Sequence, residues 1–486
     1  MIKINKASLR RRLLTLSTQK GDILPAILII STAFIIVIYG LLFILTLQFD
    51  FAERQTASEL AIDIAEAGVN YYRWHLAHDP EDFADGTGNE GETYEHDYLD
   101  PQGASVGNYS LEIIPPSQGS SIVTIRSTGA SNQYPNVTRT IEAKYGRRSF
   151  AEFSFISNAS TWYGTNITVN GKIHSNNGIR MDGTNTSLVT SAQEIYTCGS
   201  ETGCNGSSTC NSPCTWASSS CTCPGVWGGG PNSGLWQYPA TQFYFENVSF
   251  DFGQMQDGAD AEGLWLPESD YAGYHLLFLS GGTVRVYEVL STNYYNGYDS
   301  SDGCQKRYER IVNESLIGTY NVTDVPIIFA EYYLWVEGTV KGRITVVAAG
   351  FPVETSVIDI WIPNNILYTT YDGSDVLGLI AQRDIYYARN VPENFQIDAV
   401  LFAQGGHIIR HAYYSSCGGT SSHNVKDSLK INGSVISNTK PYWNYGSGPT
   451  SGFITRTVNY DPNVLYNPPP YFPTSGEYEF ISWSEE

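Results

Sequence analysis

The most regular pattern in the chain is a long apolar segment that passes directly into an amphipathic one. Residues 23–49 carry no charged side chain. As a helix rising ~1.5 Å per residue they would span ~40 Å, more than the ~30 Å hydrocarbon core of a membrane. From residue 51 to the stop signal Asp79-Pro80, apolar residues recur at steps of three and four, which predicts one helix within residues 22–80. The recurring positions are Ala57, Leu60, Ala61, Ile64, Gly68, Tyr71 and Tyr72.

Residues 81–148 change to an alternation of period two. Three segments, "NYSLEIIP", "SSIVTIRSTG" and "NVTRTIEAKYG", are separated by the turn-like "PSQG" and "NQYPN". Such alternation is typical of half-buried strands, and short polar turns join strands antiparallel. We expect an antiparallel β region that packs on the second half of the helix.

Residues 149–486 consist of short alternating segments with Gly or Asn between them. The pattern apolar–Asn/Glu–Gly–x–apolar occurs as "VNGKI", "VEGTV" and "INGSV", and "LIAQRDI" is followed 22 residues later by "LFAQGGHI". Repeated short strands with glycine corners favour a β-solenoid of the right-handed β-helix type. A sandwich of short strands is the alternative. We expect a Cys-rich insertion at about 191–270 and an exposed loop at 293–304.

The eight cysteines indicate disulfides. Six lie close together without a CxxC pair, so disulfides in an oxidising compartment are favoured over a zinc site. We expect all of them to be oxidised, with those of the cluster paired among themselves, although the sequence does not define the connectivity. The cysteines are Cys198, Cys204, Cys210, Cys214, Cys221, Cys223, Cys304 and Cys417.

The charge distribution orients the chain. The net charge is −21, which makes a nucleic-acid partner improbable. Six basic residues, with no acidic residue among them, precede the apolar segment, and the positive-inside rule puts that end in the cytoplasm. We expect a single-pass membrane protein that crosses through residues 23–49, with its C-terminal part outside. The basic residues are Lys3, Lys6, Arg10, Arg11, Arg12 and Lys20.

Specific chemistry is sparse in the sequence. No catalytic motif is present, and Asp372 with Asp375 fits a turn better than a catalytic pair. The loop after the helix offers oxygen ligands for Ca²⁺ without EF-hand spacing, so a solvated loop is the favoured alternative and no cofactor is expected. These candidate ligands are Asp82, Asp85, Asn89, Glu90 and Glu92. Exposed aromatic residues often carry protein or carbohydrate contacts. Trp216, Trp227 and Trp236 are therefore a candidate contact surface, or else the core of the insertion.

The N-terminal part resembles type IV pilins and pseudopilins. A basic leader ending in Gly, a helix that is half apolar and half amphipathic, and the segment "AEAGVNYYRWHL" (residues 65–76) are similar to those of large minor pilins. The resemblance implies a leader at 1–21 that a prepilin peptidase removes after Gly21, leaving Asp22 first. Two departures are Asp22, where the family usually has Phe or Met, and Ala26, where it usually has Glu. The C-terminal part resembles bactofilin-like β-helices and β-helical domains attached to minor pilins.

These observations define the expected fold and function. The fold class is mainly β with one long N-terminal transmembrane α-helix, a pilin-like α+β head and a β-solenoid. The function hypothesis is a non-enzymatic surface protein, a minor tip component of a type IV pilus or pseudopilus acting in adhesion or assembly. Its partners would be other pilins or assembly proteins and an extracellular carbohydrate or protein. The alternatives are a surface-tethered enzyme acting on polysaccharide, which a groove lined by clustered charges would favour, and a cell-envelope protein with a plain anchor.

Overall fold

A computed structural model describes residues 23–485 except residues 117–119, 205–208, 218, 244, 246–250, 354, 419–422 and 446–449. The predicted cleavage site, Gly21 and Asp22, lies outside the described residues. The chain is mainly β with one long N-terminal helix, as expected. It forms a head, built around that helix, and a larger β-domain.

The helix α1 (Ile23–His78) is one continuous element of 56 residues. Its first half is exposed and apolar, with a mean hydropathy of 2.8 over its most apolar 18 residues and none of that window buried. Among the residues that the structure describes, α1 is the one helix long and apolar enough to cross a membrane. The buried face of its second half follows the predicted three- and four-residue steps, at Ala57, Ala61, Ile64, Ala65, Gly68, Val69, Tyr72 and Leu76.

An antiparallel sheet covers that buried face. Its strands are β1 (Thr93–Leu99), β2 (Ser105–Ile114), β3 (Ile122–Ser131) and β4 (Thr138–Ser149), paired in chain order. The predicted meander corresponds to β2–β4. The sequence predicts a polar loop where β1 forms, because the side chains of β1 are mostly polar and only Tyr94 among them is buried. An edge strand pairs through its backbone, so it can form without an apolar face.

The larger domain consists mostly of short strands. The first part of it contains β5 (Phe155–Ser157), β6 (Thr161–Tyr163), β7 (Ile167–Asn170), β8 (Ile173–Ser175), β9 (Ile179–Met181), β10 (Thr184–Asn185), β11 (Val189–Ser191), β12 (Ile195–Cys198), β13 (Thr215–Ala217), β14 (Ser220–Pro224), β15 (Val226–Trp227), β16 (Trp236–Gln237) and helix α2 (Asp251–Glu262). The second part contains β17 (Leu264–Leu266), β18 (Gly273–Leu279), β19 (Thr283–Asp299), β20 (Gly303–Asn321), β21 (Ile327–Ala330), β22 (Leu334–Val340), β23 (Arg343–Ala348), β24 (Ile360–Ile362), β25 (Ile366–Tyr368), β26 (Val376–Ala381), β27 (Ile385–Tyr387), β28 (Asn394–Ala403), β29 (Ile408–Arg410), β30 (Val425–Ser437) and β31 (Gly452–Asn459).

Most of these strands stack in parallel, coil upon coil, as a β-solenoid does. One column of small buried residues runs through the stack and marks the same position in successive coils. Its members pair in the order Ala330, Ala348, Ala381, Ala403, Ser437, Ser157, Ser175 and Ser191. The two "Ala-Gln" motifs of the sequence supply Ala381 and Ala403. The right-handed sense of the coils and the resemblance to bactofilins stay predictions.

The chain enters and leaves the solenoid at its middle. From β5 the coils progress through β8 and β11 to β16 at one end. The chain then forms α2, begins again at β17 and returns through β21, β23, β26 and β28 to β30. Strand β30 pairs with both β28 and β5, so the last coil closes on the first.

The C-terminal strand belongs to the head. Strand β32 (Thr474–Glu485) pairs antiparallel with β4 and becomes the fifth strand of the head's sheet. The predicted domain bounds 149–486 include β32 in the solenoid, so the structure corrects them at the C-terminal end. The head thus holds both ends of the solenoid segment, through β4 and β32.

Two elements project from the solenoid. Strands β12, β14 and β13 form a small antiparallel sheet stapled by Cys198–Cys204, Cys210–Cys221 and Cys214–Cys223. It is narrower than the predicted insertion, because β11, β15, β16 and β17 are solenoid strands. The segment 293–304, expected to be a loop, is instead part of the long hairpin β19–β20. The fourth disulfide, Cys304–Cys417, ties the tip of that hairpin to the coils.

Candidate functional site

The three predicted contact tryptophans lie on three different strands. Trp227 is only 3 % exposed and its Nε1 donates to the Tyr196 hydroxyl at 2.7 Å, so it belongs to the core of the disulfide-stapled sheet. Trp236 is half-buried against the solenoid core. Trp216 is exposed and remains a candidate contact residue. The alternative that these residues pack a core therefore holds for Trp227.

Two of the five candidate calcium ligands, Asp82 and Asp85, bond to other groups of the protein. Asp82 accepts hydrogen bonds from the backbone N–H groups of Ala84 and Gly86 at 2.8 and 2.7 Å and also bonds His75. Asp85 bonds the Tyr71 hydroxyl at 3.0 Å and His96 at 2.6 Å. In the described part of the chain, no three His, Asp or Glu side chains place ligand atoms within 4.8 Å of one another. The remaining candidates, Asn89, Glu90 and Glu92, are exposed.

Asp372 and Asp375 serve a turn, as their spacing predicts. Asp375 is buried and accepts the backbone N–H groups of Gly342 and Thr370, each at 2.7 Å. Burial works to raise its pKa, but these bonds and one from the Thr369 hydroxyl hold it below the usual value. Asp372 accepts the Ser374 backbone N–H at 3.0 Å. Both carboxylates therefore stabilise local structure.

A groove on the solenoid is formed by two adjoining cavities of about 600 and 880 Å³. Lys440, Tyr442 and Asn444 line both of them. We call the first the Trp162 cavity, after the residue on β6 at its edge, and the second the His407 cavity, after the residue that follows the turn between β28 and β29. The second extends beneath the tip of the hairpin β19–β20.

The Trp162 cavity combines an aromatic side chain with paired charges. Trp162 is 40 % exposed, and the Arg180 guanidinium lies over its ring at 4.2 Å. Asp182 accepts hydrogen bonds from Trp162 Nε1 and Arg180 Nε, both at 2.8 Å, which fixes the ring and the cation relative to each other. These contacts preorganise one wall of the cavity.

Two further cations line the same cavity. Burial lowers the pKa of Lys440 to about 8, and its ammonium donates to the backbone carbonyl of Glu201. Burial alone lowers the pKa of Arg456 to about 10. Arg456 Nε has no hydrogen-bond partner, and the described residues supply no ion-pair partner for this guanidinium. The cavity thus carries three cations and one carboxylate.

In the His407 cavity, one imidazole bridges two carboxylates. His407 Nε2 lies 3.2 Å from Asp299 Oδ2, and its Nδ1 bonds Asp384. Burial disfavours the imidazolium, but the bonds to the two carboxylates prevail and raise the pKa of His407 to about 9. Burial works to raise the pKa of Asp299 and of Asp384, yet bonds with His407 hold both below the usual range. The imidazolium therefore links the hairpin tip to the coils.

Other polar contacts fix the same hairpin along its length. His275 on β18 lies 2.8 Å from Glu314 of β20 and 3.2 Å from Glu337 of β22. Further along, the Tyr413 hydroxyl donates to the buried Glu309 at 2.7 Å. Burial, partly offset by that bond, raises the pKa of Glu309 to about 7. The hairpin is therefore a well-supported wall of the groove.

Sequence reasoning missed every residue that defines this groove. The outward position of Trp162 in "TWY" was the one local signal, since its neighbours Thr161 and Tyr163 are buried. The charges come from segments far apart: Asp299 on the hairpin, Asp384 and His407 on neighbouring coils, and Arg456 on β31. The criterion stated for a polysaccharide-acting surface, a groove lined by clustered charges, is met.

Comparison with known proteins adds little to these observations. No family model matches the chain, and no curated protein matches it significantly. A comparison of solved structures finds the competence-associated pilin ComZ from Thermus thermophilus, at 14 % identity over 88 % of this chain and 98 % of that one, with a TM-score of 0.28. Similarity at this level supports no conclusion about function.

Proposed function

We propose that the chain is a membrane-anchored, pilin-like surface protein and a minor component at the tip of a type IV pilus or pseudopilus. The solenoid is displayed outward and acts in adhesion or assembly. The observation that carries this proposal is the division of α1 into an exposed apolar half and a half packed on an antiparallel sheet. A pilin needs both halves, one for membrane and filament and one for its head.

The exposed half of α1 requires an apolar environment. Burying apolar surface is worth about 25 cal/mol per Å², and the residues from Ile23 to Phe51 leave a continuous apolar cylinder uncovered. The uncharged part of this surface ends at Phe49, before Asp50. A bilayer can cover it, and so can the packed helices of neighbouring subunits in a filament. The basic leader and the disulfides support an outside location for the rest of the chain.

Two features support a terminal place in the filament. Ala26 stands where polymerising pilins carry Glu, so the terminal amine of a neighbouring subunit would be buried without a carboxylate, at a cost of several kcal/mol. The solenoid would also crowd its copies if subunits repeated at the ~10 Å spacing of packed helices. A tip position, with no subunit above it, removes both difficulties.

The N-terminus of the native protein and its place in filaments test the proposal. We expect mass spectrometry to find Asp22 first, and immunogold labelling of sheared filaments to mark their ends. Gly21→Leu should block cleavage and remove the label from filaments. Gly281→Leu is the matched control, because Gly281 lies outside α1 and no atom lies within 4 Å of a Cβ there. Label along the shaft contradicts the tip position, and a native chain that starts at Met1 with label on the cell body indicates a plain anchor.

The charged groove also favours a second candidate, cleavage of polysaccharide. Two-carboxylate hydrolysis needs one acid whose pKa is raised, whereas those of Asp299 and Asp384 are lowered and His407 occupies the space between them. We therefore favour binding over cleavage. Release of reducing ends from a polysaccharide by the wild-type chain, abolished in Asp384→Asn, would reverse this preference.

A further inference from the structure

The Trp162 cavity is positively charged, whereas the molecule as a whole is negatively charged. The chain as a whole has a net charge of −21, yet this cavity is lined by Arg180, Lys440 and Arg456 against the single carboxylate of Asp182. Asp182 is paired with Arg180 and the Glu201 carboxylate attracts Lys440, so Arg456 is the cation that the described residues leave without a carboxylate partner. A local excess of positive charge in a partly enclosed cavity raises the concentration of anions within it.

Arg456 is the residue that points to a specific ligand. Arg456 is half-buried, its Nε is enclosed, and its guanidinium lines the cavity. The described part of the chain offers this guanidinium neither a hydrogen bond nor an ion pair. A guanidinium is always charged and carries five donors in a planar fork. Leaving such a group unpaired is costly unless an anion completes it. A carboxylate matches the fork with two parallel hydrogen bonds.

The remaining lining groups suit a sugar. Trp162 presents an exposed aromatic side chain at the edge of the cavity, held by Asp182 and Arg180. Aromatic side chains with a fixed orientation offer contact area at little entropic cost. Thr165 and Asn166 add hydroxyl and amide groups for the hydroxyls of a ligand. A cavity of about 600 Å³ is within the range of small-ligand sites.

We propose that the Trp162 cavity binds an acidic saccharide, with the carboxylate of a uronic acid on Arg456 and Lys440 and a sugar ring against Trp162. This proposal gives the chemical class of the ligand for the adhesive role proposed above. It rests on that role only in placing the ligand outside the cell. The ligand is bound without any covalent step. The His407 cavity, which shares Lys440 and Tyr442, would extend the site to further sugar residues of the same chain.

The test uses the full-length protein in detergent and titrates it calorimetrically with tri-galacturonate. The methyl-esterified trisaccharide keeps the rings and removes the charge, and inorganic sulfate offers an anion without a ring. We expect tri-galacturonate to bind at least about ten-fold more tightly than either, since charge-assisted hydrogen bonds are about twice as strong as neutral ones. Equal binding of the ester would overturn the proposal, and equal binding of sulfate would reduce the site to a simple anion site.

Variants separate ligand binding from folding. Arg456→Gln and Trp162→Ala should each weaken tri-galacturonate binding about ten-fold or more. Arg285→Gln, which changes an exposed arginine on β19, should leave it unchanged. Because the guanidinium of Arg456 is unpaired without ligand, Arg456→Gln should not lower the melting temperature. A lowered melting temperature would indicate that Arg456 makes a structural contact. Unchanged affinity of Arg456→Gln for tri-galacturonate contradicts the assignment, whether or not the melting temperature falls.

The two proposals fail in different experiments. If wild-type protein does not bind tri-galacturonate but still labels filament ends, the saccharide site is wrong and the pilus assignment stands. If binding occurs but the native chain starts at Met1 and never enters filaments, the site stands on an anchored protein outside any pilus.

Discussion

The charge of His407 connects the hairpin β19–β20 to the coils. Its imidazole lies between Asp299, at the end of β19, and Asp384, at the start of a coil. Tyr442 donates to Asp299 at 2.8 Å and Tyr386 to Asp384 at 2.7 Å, so each carboxylate keeps its charge. Two carboxylates around one imidazole stabilise the imidazolium, and the hairpin tip should therefore be held most firmly while His407 is protonated.

We predict that this contact weakens in alkaline solution. The folded pKa of His407, about 9, lies above the ordinary value of about 6.5. Its contribution is therefore complete below pH ~6.5 and is lost as the pH rises through 9. The shift corresponds to roughly 3 kcal/mol of unfolding free energy. The lowered pKa values of Asp299 and Asp384 act in the opposite sense. Their contribution to stability is present above pH ~4 and is lost in acid.

Thermal unfolding of wild type and His407→Gln between pH 5 and 9.5 measures this contribution. Wild type should lose stability from pH 6.5 upwards, while His407→Gln should be less stable at pH 6 and approach wild type at pH 9.5. His78→Gln, at the exposed end of α1, is the control for a histidine that does not contact the hairpin. Parallel curves for wild type and His407→Gln would show that the imidazolium does not hold the hairpin.

At the residue scale, local density was predictable and long-range assembly was not. The crowding of six cysteines into residues 198–223 was enough to predict that they pair with one another, as the disulfides of the structure do. Trp162 and Arg456 are almost three hundred residues apart and meet because β31 pairs with β7. No local pattern in a single sequence reports such a pairing.

Among the elements, α1 and the head's sheet depend on one close approach. Gly129 on β3 faces α1 so closely that a Cβ there would lie 2.2 Å from the backbone oxygen of Ala61 and 2.6 Å from the backbone nitrogen of Ala65. The two shortest contacts would be with backbone atoms, which cannot move aside as a flexible side chain can. The small residues of α1 and of β3 therefore set the distance between helix and sheet.

We predict that Gly129→Ala separates α1 from the sheet. Overpacking at such a contact costs roughly 1–3 kcal/mol. Hydrogen exchange of the full-length protein should show faster exchange in residues 57–76 and in β2–β4, with the solenoid unchanged. Gly281→Ala is the matched control, because nothing lies within 4 Å of a Cβ at that turn. Wild-type protection in Gly129→Ala would show that the helix is not held by this contact.

Elements with a strong local period were predictable, and those without one were not. The steps of three and four in α1 and the alternation in β2–β4 result from burial of one face, which leaves its pattern in sequence. The coils lack a constant period: 22 residues separate Ala381 from Ala403, but 33 separate Ala348 from Ala381 and 16 separate Ser175 from Ser191. Loops of unequal length between equivalent strands obscure the repeat.

At the scale of the whole molecule, the decisive feature is the seam where the solenoid closes on itself. Val435 of β30 pairs with Leu401 of β28 on one side and with Phe155 of β5 on the other. Two stretches of chain, about 155–240 and 264–459, thus form one stack. In a stack of coils each coil is stabilised by its neighbours, so the seam couples segments that are remote in sequence.

This topology predicts which strands are destabilised by a cavity in the core. Val435 and Val189 are both fully buried, but Val189 lies in β11, paired with β8 and β16 at one end of the stack. Val→Ala at either position should cost roughly 2 kcal/mol. In hydrogen exchange, Val435→Ala should expose amides on both sides of the seam, in β28 and β30 and also in β5 and β8. Val189→Ala should act only within residues 155–240. If the effect of Val435→Ala stayed within residues 376–437, the two stretches would unfold independently, and the closure of the solenoid at β30 and β5 would not stabilise the molecule.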